Sequence, residues 1–144
     1  MDSIQVDSGV KRICINGDPA RVITFNPGDV LFAERFYKIY DEFRAKMGEI
    51  KSRAAILDQT ARDENNAPAD FAEGLTFMRE SCEWMCERID TLFGAGTSRA
   101  AFDGALSFEM IAQFLEGMTP FVQHARAEKL DKYAAKKPHS KAMK

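Results

Sequence analysis

The chain has 144 residues, 45% of them hydrophobic and 29% charged, values that suit one globular domain and exclude a wholly disordered chain. Twenty basic residues against 22 acidic ones leave a net charge of −2, so no overall field favours nucleic acid or an anionic membrane. Three cysteines, Cys14, Cys82 and Cys86, are too few for a disulfide framework and read as reduced thiols. The opening residues carry neither the basic nor the apolar run of a signal peptide, and no stretch approaches the ~20 apolar residues of a membrane span.

The first 25 residues read as β. Ser3–Asp7 is a candidate short strand, and Val10–Ile15 and Arg21–Phe25 flank the turn residues Asn16–Pro19. Lys11, Ile13 and Ile15 would share one face of the first strand of this hairpin, and Ile23 and Phe25 one face of the second. An isolated hairpin is marginal in water, so this one should lean on a helix or another subunit, and an exposed edge would be able to recruit a further strand.

Asn26-Pro-Gly-Asp29 has the composition of a helix start, with Asn26 as the cap and Pro27 in the first turn. Ala33, Phe36, Tyr40, Phe43, Met47, Ile50, Ala54, Leu57 and Ala61 then alternate spacings of three and four, an apolar seam of about four heptads. Arg62–Pro68 reads as a loop. A second helix is expected from around Pro68–Asp70, with Phe71, Leu75, Met78, Cys82, Met85, Ile89 and Leu92 as its stripe and Gly94 as its stop. The two would form an antiparallel helical hairpin, each covering the other's stripe.

Thr97 is positioned to cap a short helix through Phe102, which Asp103-Gly104 ends. Ser107 caps a further helix with Phe108, Ile111, Phe114, Leu115 and Met118 on its apolar side. Pro120 should kink that helix or begin a new one, with Phe121, Val122, Ala125 and Leu130 continuing the pattern. The fold class is therefore mainly α with a small β-hairpin at the start (α+β). One domain spans residues 1–133, with a β-hairpin region over 1–25 and a helical region over 27–133. Residues 134–144 form a basic tail without periodicity, and from Lys129 onward six lysines face the single acid Asp131.

Candidate chemistry is thin. Cys82 and Cys86 stand one helical turn apart, but the two histidines, His124 and His139, lie far along the chain, and both thiols fall on or beside the apolar stripe, where cysteine serves as a small hydrophobe. Gly94-Ala-Gly96-Thr-Ser lacks the frame of a phosphate loop, and a helical segment precedes it. Acidic groups such as Glu34/Asp41 and Glu80/Glu83/Glu87 stand on polar faces, with Glu34–Lys38 and Glu83–Arg88 as candidate surface pairs. No nucleophile motif is present, and the expectation is that the protein is not an enzyme and takes no cofactor or metal.

The aromatic excess is the more informative feature. Phe32, Phe36, Tyr37, Tyr40 and Phe43 crowd one part of the first helix, and one stripe cannot hide all five. Either some of them line a protein interface, where aromatics are enriched, or all five serve the core. As a candidate partner-binding set they are Phe32, Phe36, Tyr37, Tyr40 and Phe43.

Five blocks carry a family likeness: Val10–Gly17, Val22–Tyr40, Ile89–Ser98, Ala101–Ser107 and Phe114–Phe121. Together they resemble small proteins encoded in the tail-gene clusters of siphophages and prophages of Gram-positive bacteria, the tail assembly chaperones. The resemblance implies a helical homo-oligomer in the host bacterial cytoplasm. It would hold the tape measure protein, with the tail tube protein as a further partner, and bind neither nucleic acid nor membrane. It carries over no catalytic residues. The competing readings are a structural tail or head–tail component of the virion and a small DNA-binding regulator using the basic tail.

Overall fold

The computed structural model describes residues 1–58 and 71–135, with side chains at 1–53, 71–128 and 130. The expected loop at 62–68, the seam members Ala54, Leu57 and Ala61, the start of the second helix before Phe71 and the tail beyond Ala135 lie outside what is described. The molecule is mainly helical with one small antiparallel sheet. The elements are β1 (Lys11–Ile15), β2 (Asp18–Phe25), α1 (Val30–Asp58), α2 (Phe71–Phe93), α3 (Thr97–Phe102) and α4 (Phe108–Ala135).

The sheet is a hairpin. Asn16 and Gly17 both have positive φ, 53° and 72°, the pair of left-handed residues that a two-residue turn needs to match strand twist. Pairing runs from Lys11↔Phe25 to Cys14↔Val22, then slips so that Ile15 faces Asp18. Pro19 falls in that irregular stretch, where its missing amide takes nothing from the ladder. Ile23 and Phe25 are buried, Ile13 and Ile15 pack against them, and the hairpin thus turns one face to the helices. The expected strand over Ser3–Asp7 does not form. Residues 1–10 run without regular pairing, because no neighbouring strand in the chain receives them.

The first helix starts later than expected. Asn26 does not cap it; its Oδ1 accepts from the Gly28 amide at 3.2 Å, and its Nδ2 donates to the Ser8 carbonyl at 2.7 Å. Asp29 takes the capping place, with Oδ1 accepting from Leu31 N–H at 2.9 Å and its carbonyl accepting from Ala33 N–H at 3.0 Å. Its carboxylate also meets the positive end of the helix. Phe32, Ala33, Phe36, Ile39, Phe43 and Ile50 are buried, while Tyr40 and Met47 are half-buried. Ile39 and Phe32 lie beside the strict seam. The buried arc of α1 is therefore wider than a two-helix seam, since α1 is covered by the β-hairpin side as well as by α2.

α1 and α2 run antiparallel, and three polar contacts set their register. Arg88 donates to Glu42 at 2.8 and 3.0 Å, the Lys46 ammonium lies 5.2 Å from the Trp84 ring centroid, and the Arg53 guanidinium lies 4.1 Å from that of Phe77. The α2 partner steps back as the α1 residue steps forward, the signature of an antiparallel pair. The expected surface pairing changes accordingly: Glu83 pairs with Arg79 at 3.0 Å, and Arg88 reaches across to Glu42.

Gly94 ends α2 with φ 120°. Asp90, in the last turn of α2, accepts from both the amide and the hydroxyl of Ser98, at 2.7 and 2.8 Å, and so ties the start of α3 to the end of α2. Thr97 is the first residue of α3 rather than its cap, and its hydroxyl donates back to the Gly94 carbonyl at 2.8 Å. Ser107 caps α4, its Oγ accepting from Met110 N–H at 3.2 Å. Pro120 lies inside α4, which runs on past it, so no new helix begins there. Ile111, Phe114, Leu115, Met118 and Val122 complete the core, whereas Leu130 stands exposed.

The four terminal carbonyls of α3 are all satisfied, although the helix is one and a half turns long. Arg99 O accepts from Asp103 N–H, Phe102 O accepts from Ala105 N–H, and the other two go to one side chain of the hairpin. Arg21 donates Nε to Ala100 O at 2.7 Å and Nη2 to Ala101 O at 2.9 Å. A cation at the carbonyl end of a helix is electrostatically favoured, and here it clamps β2 to α3.

Candidate partner-binding surface

Four of the five aromatic residues expected at a partner surface are buried or half-buried within the fold. Phe36 is fully buried, Phe32 and Phe43 are in the core, and Tyr40 is half-buried against it. Tyr37 alone is exposed, at 36%, with its ring edge-on to Phe36 at 5.6 Å. The physical reason is a nest of rings from five elements. Phe93 sits at 5.2 Å from Phe32, 5.8 Å from Phe25 and 5.2 Å from Phe114, and Phe114 at 5.7 Å from Phe102, mostly edge-to-face. Such rings gain about 0.5–1.5 kcal/mol per pair beyond the area they bury. The aromatic excess of α1 is consumed by the β-hairpin, the end of α2 and α4.

Among the exposed apolar side chains elsewhere, a row stands on the first half of α2. Phe71 and Leu75 are each 50% exposed and Met78 is 40% exposed. They follow one another by four and three residues and so share one helix face. Farther along the same stripe Cys82, Met85 and Ile89 are buried to 2% or less. One continuous stripe is thus covered over its second half and open over its first. Trp84, 36% exposed, adds a ring nearby on α2, stacked between Lys46 and Arg88. The helical part of the chain thus leaves a row of apolar side chains with the spacing by which one helix grips another.

Among the described residues, two of the grooves border this body of helices. One, of about 310 Å³, lies between α1 and α2 and is lined by Arg35, Lys38, Ile39, Arg88, Thr91 and Leu92. The other, of about 790 Å³, lies between the opening segment, Pro27 and α4, where Phe121, His124 and Glu128 line it. His124 is well exposed and sits 3.5 Å from Glu128 on the next turn.

The thiols are held in their neutral form. Burial, with smaller contributions from Cys86 and Glu83, pushes the Cys82 thiol up from 9.0 to about 11. Burial and then Asp90 also raise Cys86, while a hydrogen bond with Ser98 pulls the other way. A nucleophilic cysteine needs the opposite shift, toward a thiolate at neutral pH. Among the described residues, no group of three or more His, Cys, Asp and Glu side chains converges as a metal site would require. No helix there is long and apolar enough to cross a membrane.

Fold and surface together define a small α+β protein: a β-hairpin and short helix close one end of a helical hairpin whose second helix bears an uncovered apolar row. The chain belongs to the family described as a family of unknown function (DUF6673), whose model matches residues 21–144. No curated protein and no solved structure matches it.

Proposed function

We propose that this protein is a tail assembly chaperone of a siphophage or prophage, which holds the tape measure protein in the host bacterial cytoplasm until the tail tube encloses it. A tape measure is a long helical chain with much apolar surface, and it needs a partner that covers this surface reversibly. The row Phe71, Leu75 and Met78 is the observation that carries the reading. Its four-then-three spacing suits an amphipathic helix lying along α2.

The strength of the contact fits a holding role. Covering three half-exposed side chains contributes about 1 kcal/mol each, from roughly 2 kcal/mol for a fully transferred side chain. About 3 kcal/mol is less than association alone costs, so one copy holds its client weakly. Many copies along one long client hold it firmly and still let go one at a time as the tube advances. The same reading makes the protein a binder with no bond-making step.

The test is co-expression with the tape measure protein encoded beside it, followed by affinity capture of the client. Wild type is expected to be retained and the double variant Phe71→Glu/Leu75→Glu to be lost, with helical content and melting temperature unchanged. Retention of the double variant at wild-type level refutes this surface. Presence of the protein in purified virions, at the stoichiometry of a tail component, refutes the chaperone role itself.

A further inference from the structure

The opening segment is built unlike a loose end. Asp7 Oδ1 accepts from Gly9 N–H at 3.2 Å, Ser8 Oγ accepts from Val10 N–H at 3.4 Å, and Asn26 Nδ2 grips the Ser8 carbonyl at 2.7 Å. Gly9 turns the chain with φ 74°, and a Cβ there would stand 3.1 Å from Asn26 Oδ1, so the kink needs glycine. Beyond this fixed root, residues 1–6 make no hydrogen bond, ion pair or ring contact among the described residues. Ile4 is 90% exposed and Val6 79% exposed. Ser3-Ile-Gln-Val alternates polar and β-branched residues, the pattern of a strand with one apolar face.

The same chain offers what such a strand lacks. β1 pairs with β2 on one side only, and among the described residues no strand pairs with its other edge. Its five residues span about 16 Å at roughly 3.3 Å per residue, and the four residues Ser3–Val6 span about 13 Å. The inner face of β1 is apolar through Ile13 and Ile15, in line with Ile4 and Val6 if an added strand keeps the pleat. Charges agree in sign as well: Asp2 belongs to the free segment, Lys11 and Arg12 to the edge.

We propose that the Ser3–Val6 arm of one copy adds as a third strand to the β1 edge of a second copy of this chain. The occupant is a second copy because donor arm and acceptor edge belong to the same chain, and within one copy the arm pairs with no strand. A three-stranded sheet with one face on a helical layer is stable where a two-stranded one is marginal. The exchange also closes an edge that would otherwise recruit strands indiscriminately. The inference concerns copies of this chain alone and stands or falls apart from the client reading.

The native Cys14 is a reporter, since it is free and exposed on the outer face of β1. An added strand puts Ser3 and Gln5 on that face and Ile4 on the opposite one, with directly paired Cβ atoms about 5 Å apart. Under mild oxidation, Gln5→Cys or Ser3→Cys is expected to give a covalent dimer on a non-reducing gel. The dimer should disappear when Cys14→Ser is added, and Ile4→Cys should not form it. Deletion of residues 2–6 should lower the mass seen by light scattering while the circular dichroism spectrum stays helical. The proposal is overturned by a dimer that survives Cys14→Ser, by a disulfide formed within one monomer, or by a mass that the deletion leaves unchanged.

Discussion

The Arg21 clamp can be tested by replacing it with Met, which keeps most of the apolar stem and removes the guanidinium. Arg21→Met removes two donors at 2.7 and 2.9 Å from the carbonyls of Ala100 and Ala101, and Ala101 is 6% exposed. Hydrogen bonds from a charged group contribute about 1.5–3 kcal/mol each. Arg21 is half-buried, so water can replace part of the loss at Ala100 while the Ala101 carbonyl is left bare. The expected loss is about 3 kcal/mol, at the lower end of the two-bond sum. For a chain near this length that is a fall of roughly 6–12 °C in Tm, at about 2–4 °C per kcal/mol. Arg21→Lys keeps the charge at the helix end but not the forked geometry, and should lose about half as much. Urea unfolding followed by circular dichroism reads both variants. A loss below about 0.5 kcal/mol for Arg21→Met, the size of an ordinary surface change, would show that the clamp is incidental to folding.

Phe36→Ala should cost about 3–5 kcal/mol, because Phe36 is fully buried among rings. Tyr37→Ala, one position on, should cost under about 1 kcal/mol in the same denaturation assay, and equal costs would contradict the assignment of faces. Stability should also fall in alkali. The folded state keeps the Cys82 thiol protonated to about 11 while the unfolded chain releases it near 9.0, so the unfolded state binds fewer protons between those values. This contribution is intact below pH 9.0 and lost as pH rises toward about 11. Cys82→Ala should flatten the slope of stability against pH over that window, and an unaltered slope would assign it to other groups.

Much of the fold is legible in local pattern. The period-two runs at Val10–Ile15 and Arg21–Phe25, the three-four seam of α1, Gly94 as a stop and Ser107 as a cap all appear in the structure at or near those places. What local pattern misses depends on tertiary partners. Ser3–Asp7 has strand composition but no neighbour in its own chain. Asn26 has the chemistry of a cap, yet its Oδ1 accepts from the Gly28 amide ahead of the helix, and Asp29 is left to cap. The uncovered row on α2 is hidden for a sharper reason. Phe71, Leu75 and Met78 carry the same spacing as Cys82, Met85 and Ile89, and nothing in that spacing says where cover ends. Conversely, Phe32, Phe36 and Phe43 look surplus to one seam because the covering face of the hairpin lies outside that helix.

The three contacts that index α1 against α2 fail together if either helix slides by a turn, since each meets a residue one step out of place. A one-turn slide would therefore cost all three contacts at once, which favours the pair's moving as one body. A client held at Phe71–Met78, as proposed above, would then also pull on the far end, where Asp90 ties α2 to α3 and Arg21 ties α3 to β2. On the two proposals above, grip at one extremity and strand exchange at the other would be mechanically continuous.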